Sequence, residues 1–139
     1  MAQTVADVMT SNPATIDRGA SAAEAARLMA HGDMGGVIVT SNGTVSGIVT
    51  DRDIAVRLVA EDKDPGTPVA EIVSDSELVT ATPDMRLDQA VRLMRSHAVR
   101  RLPVLQGGRA VGMVSLGDLA MERDPESALA GISSAGGNT

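Results

Sequence analysis

Apolar positions along this chain alternate between a helical period and an extended one, and the alternation occurs twice. Val5-Ala6-Asp7-Val8-Met9 is a short helical-period piece closed by the turn-prone Thr10-Ser11-Asn12-Pro13, and Thr15-Ile16 is a brief extended stretch. Ser21-Ala22-Ala23-Glu24 reads as a capping box, and Ala25, Leu28 and Met29 continue its apolar stripe. The spacing predicts a helix over about 21–31 that stops at a left-handed Gly32. Val37-Ile38-Val39-Thr40 and Thr44-Val45-Ser46-Gly47-Ile48-Val49 then flank Ser41-Asn42-Gly43. An Asn-Gly between β-branched runs predicts a hairpin, because its tight turn needs positive φ at both central residues. From Asp51 to about Glu61 the helical period returns, with Ile54, Ala55, Leu58 and Val59 on one face, until the polar stretch from Glu61 to Pro68 ends it.

The same order begins again at Val69. Val69-Ala70-Glu71-Ile72-Val73 matches Val5 to Met9, Val79-Thr80 matches Ala14-Thr15, and Gln89-Ala90-Val91-Arg92-Leu93-Met94 matches Glu24 to Met29. Leu102-Pro103-Val104-Leu105 and Ala110-Val111-Gly112-Met113-Val114 form a second hairpin around Gln106-Gly107-Gly108-Arg109. This mixture predicts an α+β fold with one repeat over 3–64, a second over 65–122 and a tail, acidic and then rich in Ser, Gly and Ala, over 123–139. Within the tail, Glu126 to Ile132 is expected to make a helical turn and the last residues to be disordered. Repeats of roughly 55 residues are marginal for independent cores, so the halves are expected to pack on each other about a pseudo-twofold axis.

The part of the repeat that carries polar groups is Gly47-Ile48-Val49-Thr50-Asp51-Arg52-Asp53, which returns 65 positions later as Gly112-Met113-Val114-Ser115-Leu116-Gly117-Asp118. Each copy reads as a strand running straight into a helix, with Thr50 or Ser115 as N-cap and Asp53 or Asp118 at the third helical position. One use of that pattern is a helix cap worth roughly 1 kcal/mol. Another is a nucleotide site, in which the carboxylate accepts from ribose hydroxyls while helix amides and the hydroxyl face a phosphate. Both uses stay open at this point.

Composition narrows the field. Phe, Tyr and Trp are absent, so the core is built from aliphatic residues and the 8 Met, and the stacking platforms common in nucleic-acid binding are missing. A net charge of -6 would repel a phosphate backbone, and no nucleic-acid partner is expected. Without cysteine there is no disulfide, thiol catalysis or zinc-thiolate site. No basic-then-apolar leader and no membrane-length apolar run occur, which predicts a soluble cytoplasmic chain without a membrane partner. Gly32, Gly35 and Gly36 lack the spacing and lysine of a phosphate loop, His31 and His97 fit helix ends better than a metal site, and no nucleophile has an evident base. Neither an enzyme, a metal site nor a cofactor is expected.

The doubled pattern, opening on Val-Ala-Asp-Val-Met-Thr and joined by Val-Arg-Arg-Leu-Pro-Val in the second half, resembles a tandem pair of CBS domains, or Bateman module, over about residues 3–122. It is similar to the small stand-alone CBS-pair proteins of bacteria. The resemblance implies two β-α-β-β-α repeats and a regulatory, non-catalytic module whose clefts bind adenosyl compounds such as AMP, ADP, ATP, S-adenosylmethionine or NAD. It assigns ribose and phosphate to Thr50 with Asp53 and to Ser115 with Asp118, phosphate to Arg100 and Arg101, and adenine to the surroundings of Thr15-Ile16 and Thr80-Ala81. The first half departs from the second here, since Gly35 and Gly36 match Arg100 and Arg101, while Leu116-Gly117 replace Asp51-Arg52. A homodimer is expected, because the helices bearing Ala22, Ala25, Leu28 and Met29 and Ala90, Leu93 and Met94 are read as too apolar to be covered within one chain. A protein partner is a further expectation, and the alternative function is a ligand-free dimerisation or interaction module.

Overall fold

The computed structural model describes residues 3–32, 34–73, 78–123 and 132. In chain order they form α1 (Val5–Val8), β1 (Thr10–Ser11), β2 (Thr15–Asp17), α2 (Ala22–Gly32), β3 (Gly36–Ser41), β4 (Thr44–Thr50) and α3 (Asp51–Asp53), which passes into a π-helical segment (Ile54–Val59). A single 3₁₀ turn (Val69–Glu71) follows, then α4 (Leu87–His97), β5 (Arg101–Gln106), β6 (Arg109–Ser115) and α5 (Leu116–Arg123). The mixture is α+β with two small sheets, one ordered β2-β3-β4 and the other β1-β6-β5.

Both hairpins form where the turn chemistry requires. Asn42 and Gly43 sit at φ 53° and 80°, Gly107 and Gly108 at 61° and 80°, the left-handed pairs that match the twist of a two-residue hairpin. Each hairpin carries an irregularity at the same place in the repeat, between Val39 and Thr40 and between Val104 and Leu105. The preceding extended piece lies parallel to the first hairpin strand: Thr15 is opposite Ile38, and Ala81 bridges Val104.

The chain divides into two compact units, Ala14–Leu78 and Met1–Pro13 with Val79–Thr139. These do not follow the linear repeats, because the opening segment of each repeat packs with the hairpin of the other. Val5 is fully buried in the core with Leu87, Leu102 and Val114, its amide donates to the Met85 carbonyl (2.8 Å), and β1 pairs antiparallel with β6. Val69 and Ile72 are likewise fully buried with Ile16, Val37 and Val49, and the Val69 amide donates to the Ala20 carbonyl (2.8 Å). A two- or three-residue apolar piece cannot cover itself, and the half-open face of a small sheet supplies the missing partner.

Three local expectations change. Gly32 is the last helical residue of α2 rather than a left-handed stop, and the equivalent α4 ends on Ala98, left-handed at φ 54°. Both helix ends are closed by the same backbone bond, Met34 N–H to the Met29 carbonyl (3.1 Å) and Val99 N–H to that of Met94 (3.0 Å). The helix after Asp53 is π-helical, with the Ala60 amide reaching the Ala55 carbonyl (3.0 Å), and Asp62 at φ 54° ends it. The apolar faces of α2 and α4 are covered inside their own units: Ala22, Ala25, Met29, Ala90 and Met94 are buried, and Leu28 and Leu93 are half-buried against them. Ala22, Ala25, Met29, Ala90 and Met94 thus give no exposed apolar face for a dimer, while Leu28 and Leu93 stay partly exposed. Alanines at 22, 25 and 90 let each helix lie close on its sheet. Among the described residues, the large apolar side chains left exposed are instead Val56, Val59, Leu116 and Ile132. The tail expected to hold a helical turn over 126–132 and a disordered end lies, apart from Arg123 and Ile132, outside the described residues.

The exchanged packing can be tested at the equivalent glycines 47 and 112. A Cβ on Gly112 would meet the Thr10 carbonyl oxygen at 3.1 Å and the Met9 side chain, whereas one on Gly47 would meet only a Val73 methyl at 3.1 Å. Gly112→Ala is expected to cost about 1–3 kcal/mol, because backbone must shift, and Gly47→Ala less, in denaturant melts of the two variants. A pH effect is expected at α1. Asp7 accepts from the Gln3 and Thr4 amides (3.0 and 3.1 Å), and these bonds hold its carboxyl below the usual aspartate value. A depressed folded value contributes stability above the unfolded value and loses it as pH falls through the folded one. The Gln3 and Thr4 amides should therefore lose exchange protection only below about pH 4, and Asp7→Asn should abolish that dependence.

Candidate functional site

The two strand–helix junctions form the reciprocal boxes that the sequence pattern predicts. The Asp53 amide donates to Thr50 Oγ1 (3.1 Å) while the Thr50 amide donates to Asp53 Oδ2 (2.9 Å). The second copy repeats this, Asp118 N–H to Ser115 Oγ at 3.1 Å and Ser115 N–H to Asp118 Oδ2 at 2.8 Å. Thr50 is in the extended region as an N-cap must be, so the strand ends and the helix starts on one residue. Capping does not exhaust these groups. Each hydroxyl accepts one bond and keeps its own proton to donate, and neither box uses the carboxylate's Oδ1.

The hairpin registers decide what stands beside each box. Gly36 lies across from Thr50, and the Asp51 amide donates to the Gly35 carbonyl (3.0 Å). At the same two places in the other unit, Arg101 lies across from Ser115 and the Leu116 amide donates to the Arg100 carbonyl (2.8 Å). Thus the Arg100 and Arg101 backbone borders the N-terminus of α5 and the Ser115–Asp118 box. Arg100 is exposed and Arg101 half-buried, and neither pairs with a carboxylate among the described residues. Arg86 and Arg92, by contrast, pair locally with Asp88. Arg92 reaches Asp88 at 2.9 Å and Arg86 at 3.4 Å. Partial desolvation pushes the Asp88 carboxyl up, but the Arg86 hydrogen bond and the Arg92 charge together hold it below the usual aspartate value.

The first junction is more fully satisfied from within. Arg57, one turn on, brings Nε to 3.5 Å from Asp53 Oδ1, and Asp51 Oδ1 accepts from the Arg52 amide at 2.8 Å. The second junction has Glu122 in place of Arg57 and Leu116 in place of Asp51, so neither contact has a counterpart. Arg57 is absent from the residues that sequence reasoning singled out, and Asp51 entered it only as a difference from Leu116. The signal was available in the spacing of Asp53 and Arg57, four apart on a helix, and in the exchange of Arg57 for Glu122 between the copies.

The remaining candidates divide between the units. Thr15 is exposed on β2, whereas Ile16 is buried in the core, so its side chain faces away from solvent. Thr80 is half-buried and Ala81 is a core residue whose backbone bonds to Pro103 and Leu105 (both 2.9 Å). Thr15, Ile16, Thr50 and Asp53 thus share one unit, and Thr80, Ala81, Arg100, Arg101, Ser115 and Asp118 share the other. His31 and His97 stand in the last turns of α2 and α4, with His97 Nδ1 3.1 Å from the Leu93 carbonyl. No helix among the described residues is long and apolar enough to cross a membrane.

Comparison with known proteins places this geometry. The CBS domain family matches the chain twice, over residues 5–60 and 69–124. The CBS domain-containing protein YhcV of Bacillus subtilis is 43% identical over 119 residues, covering 86% of this chain and 84% of that one. A solved structure of a protein with CBS domains from Burkholderia ambifaria superposes with a TM-score of 0.79 at 30% identity, covering 89% of this chain and 96% of the other. The hexameric CBS-CP12 protein of bloom-forming cyanobacteria superposes with a TM-score of 0.75 at 31% identity, over 88% of this chain and 72% of its own. With two matched repeats, both carrying the strand–helix box at the same register, the chain belongs to the CBS-domain family as a tandem CBS pair of the regulatory kind.

Proposed function

We propose that this CBS pair binds an adenosyl ligand, in the class of AMP, ADP, ATP, S-adenosylmethionine or NAD, and does no chemistry on it. The observation that carries the reading is the pairing of Arg101 with Ser115 beside a box whose Asp118 Oδ1 is free of any described cation. A guanidinium adds charge-assisted bonds to phosphate, the Ser115 hydroxyl has a proton to donate, and Asp118 has lone pairs for ribose hydroxyls. Adenine would lie beside the half-buried Thr80, since the Ala81 side chain is in the core and its amide and carbonyl are bonded to Pro103 and Leu105. Thr50 and Asp53, flanked by Gly35 and Gly36, make the weaker site, with Thr15 and Ile16 in the corresponding adenine positions.

The second reading is a ligand-free interaction module, favoured by the completeness of the two reciprocal boxes, which cap their helices without any ligand. Binding energy separates the two. A ligand at a hundred times its Kd stabilises the fold by roughly 2.7 kcal/mol, whereas a scaffold gains nothing. In calorimetry with the five compounds, Asp118→Ala is expected to weaken binding by on the order of 1.5–3 kcal/mol and Asp53→Ala by less. Each variant's unliganded melting temperature corrects for the lost cap. Unchanged affinity in both variants would leave the capping reading standing.

Self-association is part of the proposal, supported by the hexameric relative and by the exposed Val56 and Val59, 43% and 64% accessible on the π-helical segment. Light scattering at micromolar concentration should give at least a dimer mass, and Val59→Glu should lower it without unfolding the chain. A monomer in the native protein would remove this part of the proposal.

A further inference from the structure

Resting on the adenosyl-binding reading, we infer that the first junction is filled by the chain itself, with Arg57 and the Asp51 carboxylate standing where a ligand's groups would go. Asp53 is 7% exposed and is the single buried charged residue among those described. Its Oδ2 accepts from the Thr50 amide at 2.9 Å, and Arg57 Nε stands as an ion pair 3.5 Å from Oδ1. A ribose hydroxyl that donates to Asp53 must therefore compete with a guanidinium. The Arg52 amide, which in a helix first turn is available to an anion, is already taken by Asp51 Oδ1 at 2.8 Å. That carboxylate also sets a negative charge beside the helix start, where a phosphate would have to come.

Among the described residues, the second junction lacks every part of this closure. Leu116 has no oxygen to cap the Gly117 amide, Glu122 cannot donate to Asp118, and Arg100 and Arg101 replace two glycines. Because the amide–hydroxyl and amide–carboxylate bonds of the two boxes agree within 0.1 Å, the two sites differ through these side chains and not through the shape of the turn. Arg57 and Asp51 thus determine how many ligands one chain takes up: one in the native protein, two once they are removed.

The test is calorimetry with AMP and with ATP on four proteins: the native chain, Asp118→Ala, the double variant Asp51→Leu with Arg57→Ala, and the triple variant combining all three. The double substitution removes one negative and one positive charge, so general attraction of an anion is unchanged. Native protein should take one equivalent per chain and the double variant two. In the Asp118→Ala background, opening the first junction should tighten binding by about tenfold, the scale of one charge-assisted hydrogen bond regained. Arg57→Gln, at a half-exposed position, serves where the double variant melts early, and it should give a smaller gain of the same sign. Two equivalents of similar affinity in the native chain, or no tightening in the Asp118→Ala background, would overturn the inference while leaving the adenosyl reading intact. Binding only after Asp51 and Arg57 are replaced would support the inference and overturn the preference for the second junction. No uptake of either nucleotide by any of the four would overturn both.

Discussion

The reciprocal bond between the last residue of a strand and the third residue of the helix that follows it governs the geometry of each half. Its energy is modest, about 1 kcal/mol per box. Its effect is directional. By tying the Thr50 or Ser115 amide to an aspartate one turn into the helix, it leaves no slack between hairpin and helix. The N-terminus of that helix must then lie against the start of the first hairpin strand. The bonds from Asp51 to Gly35 and from Leu116 to Arg100 are the consequence. Whatever residue stands at the start of β3 or β5 becomes a neighbour of the box, without needing to be near it in sequence.

Duplication of such a junction gives two copies of one scaffold on which side chains can diverge at little cost to the fold. Gly35, Asp51, Arg52 and Arg57, and their counterparts Arg100, Leu116, Gly117 and Glu122, are half-buried or exposed, so changing them leaves the cores alone. The cores, by contrast, keep the same kinds of residue in both halves. Ile16, Ala25, Met29 and Val49 answer to Ala81, Ala90, Met94 and Val114. Without aromatic residues, aliphatic side chains of similar size fill these thin layers. Close approach of backbone is obtained at Gly112, where the opening segment crosses β6.

The sequence by itself determined the elements and their chemistry. Asn42-Gly43 and Gly107-Gly108 made both turns legible, because a two-residue hairpin needs positive φ that those residues adopt most readily. The spacing of Thr50 and Asp53, and of Ser115 and Asp118, gave the boxes, since capping is a contact over three residues. The repeat at a fixed offset gave the family. These are local or periodic properties, and the chain carries them wherever it folds.

Tertiary structure decided what depends on contacts far apart in sequence. It sent Val5 to a core built around Leu102 and Val114, and Val69 to one built around Val37 and Val49, because a short apolar segment is covered by whichever sheet face is open to it. It closed α2 and α4 over residues that an amphipathic stripe alone left without a partner. It also put Arg101 across from Ser115, a relation set by hairpin register rather than by spacing. The ion pair of Arg57 with Asp53 lies between these cases. Its four-residue spacing could be read in advance, but only the folded junction shows that the strand amide holds Asp53 Oδ2 and leaves Oδ1 facing the arginine.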